Sequence, residues 1–106
     1  MIMTLENFRD LLLTVTPDVY HFEAHKDEEY IVWHEVGGIS LTGDDRHAET
    51  GTRIAVDYYT KQEYDTLPAR LSETLGSCPD IALSDERVMF EPETELIHYA
   101  YTCEVI

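Results

Sequence analysis

Residues His34 to Tyr59 read HEVGGISLTGDDRHAETGTRIAVDYY, and the architecture turns on how they are divided. The run entering this stretch, Tyr30 to Val36, is rich in β-branched and aromatic residues and reads as a strand. On the far side, Thr52, Ile54, Val56 and Tyr58 share one parity, while Arg53, Ala55, Asp57 and Tyr59 share the other. That alternation marks a half-buried antiparallel strand. Gly37-Gly38 is predicted to break or bulge the first strand before "ISLT" resumes it. GDDRH, Gly43 to His47, then falls where a hairpin must reverse. Gly43 supplies a permissive backbone, and Asp44 and Asp45 bond their own backbone in turns. The span from Val36 to Thr52 is far longer than the about two to five residues a compact hairpin needs. The excess forms either a two-stranded arm or a long loop, and such extensions carry function more often than the core does.

Working outward, Thr4 caps a predicted helix from about Leu5 to Val15, with Leu5, Phe8, Leu12 and Val15 at helical spacing. Glu6 suits its dipole, and Pro17 ends it. Val19 to Ala24 is a short predicted strand. Tyr64, Leu67, Leu71 and Leu75 form one stripe of a second helix, with Pro68 in its first turn, Asp65 or Thr66 capping and Gly76 closing it. Ile81 to Phe90, with a bulge near Ser84-Asp85, and the alternating run Leu96 to Val105 are the last strands, joined by the turn "EPETE". The order is α-β-β-β-α-β-β. The expected class is α+β: a single domain over residues 1–106, with a largely antiparallel sheet of four to five strands and two helices on one face.

Composition narrows the function. The chain has 106 residues, 43% of them apolar, which suits one folded domain. Twenty-two acids against seven Lys and Arg give a formal charge of −15. DNA binding needs cations to displace counterions from phosphates, so this balance opposes nucleic-acid binding and, likewise, anionic membranes. Three uses of the charge remain: solubility, a basic partner, or a surface that DNA must pass without sticking. The two cysteines, Cys78 and Cys103, show no zinc or redox spacing and are expected to be reduced thiols. No signal peptide or membrane span is expected.

Chemistry is hard to place. His21 and His25 are four apart, but in a stretch that reads extended. His47 with Asp44 and Asp45 lacks the glycine and distal Glu of a calcium loop. There is no GxSxG, no GxGxxG and no phosphate loop, and the tyrosines sit on strands where aromatics are ordinary. No catalytic residue, cofactor or metal is expected, and the chain is not expected to be an enzyme.

"EYIVWHEVGG" (Glu29 to Gly38) followed by "GTRIAVDYYTKQEYDTL" (Gly51 to Leu67) resembles a family of small proteins of long-tailed phages and prophages. These are the tail-terminator, tail-completion or head–tail joining proteins, with a "YIVW" strand, an "xxIxVDxYTK" strand, a helix and a C-terminal hairpin of alternating aromatics. The resemblance implies a ring, commonly of six copies, that ends the tail tube and docks to the neck or head-completion protein. It implies location in the virion, after assembly in the host cytoplasm. DNA would pass through an acidic lumen without specific binding, and no membrane would be involved. Gly43, Asp44, Asp45, Arg46, His47 and Glu49 would form a contact arm toward neighbouring proteins. Self-repulsion among copies at −15 each should hinder a ring at low salt and ease as salt screens it. Rival readings are a DNA-mimic or inhibitor protein, an immunity or antitoxin-like protein, and an enzyme using His34 or His98 with a carboxylate. The arm reading predicts that Asp44→Lys or Asp45→Lys weakens docking to tail tubes in a pull-down while the melting temperature holds. Unchanged docking would remove the arm.

Overall fold

The computed structural model describes residues 3–26, 28–40 and 50–106. Its elements are α1 (Leu5–Leu13), β1 (Val19–His21), β2 (Tyr30–Ser40), β3 (Thr50–Thr60), α2 (Leu67–Ser77), β4 (Ile81–Glu91) and β5 (Leu96–Val105). The fold is α+β in the expected order, with a five-stranded sheet ordered β1-β2-β3-β5-β4. Its pairings are antiparallel except the short parallel pair β1–β2.

Local chemistry explains the boundaries. The Thr4 hydroxyl accepts the Asn7 N–H at 3.0 Å, and the Asn7 side chain accepts the Thr4 N–H at 3.4 Å. This reciprocal cap starts α1. The helix stops at Leu13 rather than Val15, because the Thr14 hydroxyl donates to the Leu11 carbonyl at 2.6 Å and competes with the helical ladder. β1 ends at His21, three residues before the expected boundary, where Phe22 turns the chain with φ 73°. In β2 the extra residue of the bulge is Val36, one position before the glycine pair. Gly37 and Gly38 have no positive φ, and a Cβ on either would meet only open space or ordinary contact. The second bulge falls at Ser84, as the sequence suggests, with its hydroxyl donating to the Thr102 carbonyl at 3.0 Å.

α2 begins at Leu67, so Tyr64 is not part of its stripe and is 86% exposed. Thr66 stands at the cap position without a side-chain cap bond; Asp65 accepts the Leu67 N–H at 2.9 Å instead. Gly76 lies inside the helix, which runs on to Ser77.

The core lies between the helices and one sheet face. Phe8 and Leu12 of α1 and Leu71 and Leu75 of α2 pack over Ile31, Trp33, Ile54, Val56, Tyr58, Tyr101 and Cys103. Three polar links fasten α2 to its surroundings. The Tyr58 hydroxyl donates to Asp65 at 2.5 Å, the Tyr101 hydroxyl to the Pro68 carbonyl at 3.2 Å, and Arg70 to the Val15 carbonyl at 2.5 Å. Cys78 and Cys103 are both free, and burial pushes the Cys103 thiol up to about 12. No helix among the described residues is long and apolar enough to cross a membrane.

Leu71 is fully buried. Leu71→Ala is therefore expected to cost about 3 kcal/mol in a urea melt. Tyr64→Ala should stay within about 0.5 kcal/mol. Similar losses for both would place Tyr64 in the core stripe after all.

Candidate functional site

β4 is a sheet edge: β5 pairs with one side of it, and no described strand pairs with the other. An edge exposes a row of backbone donors and acceptors. Past the Ser84 bulge, Glu86, Val88 and Phe90 stand opposite Tyr101, Tyr99 and Ile97 on the helix-bearing face. Asp85, Arg87, Met89 and Glu91 take the other face. α2 reaches along β4 as far as the bond from the Ser72 hydroxyl to Glu86, 2.5 Å. Beyond it Val88 is 63% exposed, Phe90 60% and Met89 42%. A long edge ending in three consecutive exposed apolar residues is the kind of surface that another protein covers.

The sheet face away from the helices carries a row of rings across four strands. Tyr20 meets Tyr30 edge-on at 6.4 Å, Tyr30 stacks on Tyr59 at 5.0 Å, and Tyr59 stacks on His98 at 4.4 Å. The register Tyr30–Tyr59–His98 places three of them directly opposite one another. His98 Nε2 lies 2.6 Å from Asp57 Oδ1, and its Nδ1 lies 3.4 Å from Glu91 Oε2. The hydrogen bond to Asp57 raises the His98 pKa against the opposing effect of burial, with further support from the charges of Asp57 and Glu91. His98 thus lies between two carboxylates, one near each ring nitrogen, and this setting favours its charged form. The cluster ties β3, β4 and β5 together.

Sequence candidates distribute as follows. Gly43, Asp44, Asp45, Arg46, His47 and Glu49 lie outside the described residues. The paired ladder of β2 and β3 continues to Ser40–Thr50, two pairs past the last pairing of β3 with β5. The histidine–carboxylate convergence that an enzyme would need does occur at His98, in the clamped form just described. His34 instead faces the Phe22 ring at 6.3 Å. His21 pairs with Glu35 at 2.5 Å, and His25 lies 3.7 Å from Glu23, on separate carboxylates. The bond from His21 lowers the Glu35 pKa. No group of three His, Cys, Asp or Glu among the described residues could hold a metal ion. Sequence reasoning missed the β4 edge, although the unbroken apolar run Val88-Met89-Phe90 in an alternating strand was a visible signal. The Asp57–His98 pair required the register of β3 on β5, which no local pattern reveals.

The raised pKa ties the contribution of His98 to its charged form. That contribution is fully present below the unfolded value of about 6.5 and is lost as pH rises through the folded value. The stability gap between wild type and His98→Asn should be widest near pH 6 and narrow toward pH 9 in urea melts, about one unit of pH per step. A gap that widens with pH would show that the charged ring does not hold the three strands. In comparisons with known proteins, no family model matches the chain, and no curated protein matches it.

Proposed function

We propose that the chain is a non-enzymatic structural subunit of a long-tailed phage or prophage. It forms a ring at the end of the tail tube, stops tube growth and joins the tail to the neck, within the virion. The observation that supports this best is the exposed apolar end of β4 on an open sheet edge. β1, the other edge, lies on the opposite side of the sheet. Two unlike edges on opposite sides suit head-to-tail contacts, which give a ring when the rotation between copies closes and an open filament when it does not. The charge of −15 suits a lumen through which DNA slides without adhering, and it makes assembly sensitive to salt. Tail tube protein and a neck protein are the partners in this reading, with six copies the expected number.

The charge equally favours a second reading, an acidic module that occupies a basic partner. Light scattering with negative-stain imaging separates the two. The ring reading expects monomers or weak oligomers at low salt, rings at high salt or on added tail tubes, and loss of rings in Phe90→Ser with the fold intact. One-to-one binding to a basic protein, with no ring on tail tubes at any salt, would replace it with the second reading.

A further inference from the structure

Phe22 occupies the left-handed backbone region at φ 73°, where an aromatic residue is unfavourable and glycine or asparagine is at ease. Burial does not offset this, since Phe22 is 60% exposed. Strain retained at an exposed aromatic directs attention to what its ring is held against. The ring stacks on His21 at 4.2 Å and turns toward His34 at 6.3 Å. There it forms one wall of a shallow groove of about 320 Å³ on the sheet face away from the helices. Val32 lines it with His34, Tyr59 and His25, and two carboxylates border it: Glu23, whose Oε1 is 3.7 Å from His25, and Asp57, which contacts His98 through Oδ1 and keeps Oδ2 as a second acceptor. Among the described residues, no lysine or arginine lines it.

We propose that this groove receives an arginine side chain of a partner protein. Ring faces attract a cation lying over them, and a planar guanidinium also stacks on them and forks onto carboxylates. The groove sits at the small end of ligand pockets, which run roughly 300–1,000 Å³, and matches a side chain rather than a cofactor. The chain already makes such a contact with itself, Lys26 Nζ lying 5.0 Å from the centre of the Tyr20 ring. The surplus of acid over the whole chain draws basic partners toward the surface and leaves the aromatic groove to select among them. This holds for any basic partner and does not depend on the ring.

The test is an NMR titration of the full chain with N-acetyl-arginine amide and with its uncharged isostere N-acetyl-citrulline amide. Arginine is expected to give saturable shifts at Phe22, His34 and Tyr59, with affinity at least about fivefold above citrulline. Phe22→Asn should melt at a higher temperature than wild type yet lose the arginine shifts, while Phe22→Tyr keeps them. That pairing separates lost recognition from lost folding. Equal response to citrulline, no saturable response, or undiminished binding by Phe22→Asn would each overturn the proposal.

Discussion

β3 has a strand neighbour on each side, β2 and β5, so its alternation dictates both faces of the molecule. Ile54, Val56 and Tyr58 meet the helices, while Arg53, Ala55, Asp57 and Tyr59 take the opposite face. A slip of one residue against either neighbour would send every one of these side chains to the wrong side. The same strand holds Tyr58, whose hydroxyl reaches Asp65, and Asp65 in turn receives the first free N–H of α2. The start of the second helix is thus positioned by the central strand. Burial leads the causes that raise the Tyr58 pKa, and the Asp65 bond adds to it, so this phenol stays protonated and remains a donor.

The cations of the chain are largely engaged with the chain itself. Arg9 holds Asp10, Arg53 holds Glu104 and Arg87 holds Asp85, all at 2.8 to 2.9 Å. Arg70 is committed to a backbone carbonyl and Lys26 to a tyrosine face. These exposed ion pairs add little stability. Their effect is on recognition, because they remove positive charge that could have met a phosphate backbone. What the molecule offers outward is carboxylate, aromatic edge and the apolar end of β4.

Most elements were readable from period and punctuation. Both helices, the four longer strands and the Ser84 bulge came from alternation, helical spacing, caps and turns. The misplacements have specific causes. Tyr64 continued the helical stripe of Leu67, Leu71 and Leu75 in sequence, but Asp65 and Pro68 start the helix after it. The glycine pair drew the bulge toward itself, whereas the register shift fell on Val36. The parallel pairing of β1 and the positive φ of Phe22 depend on how the chain crosses the sheet, which local pattern does not encode. The contact residues Gly43, Asp44, Asp45, Arg46, His47 and Glu49 were inferred from loop length and resemblance, and they lie outside the described residues.

Trp33 is the one tryptophan of the chain. It is buried between Phe8, at 5.5 Å, and His21, stacked at 4.0 Å, and its indole N–H has no partner among the described residues. The protein therefore carries a single indole fluorophore, excitable at longer wavelength than its seven tyrosines, at the junction of α1, β1 and β2. Its emission reports the dryness of that junction without any label, and separates loosening of the first helix from events at the distant β4 edge.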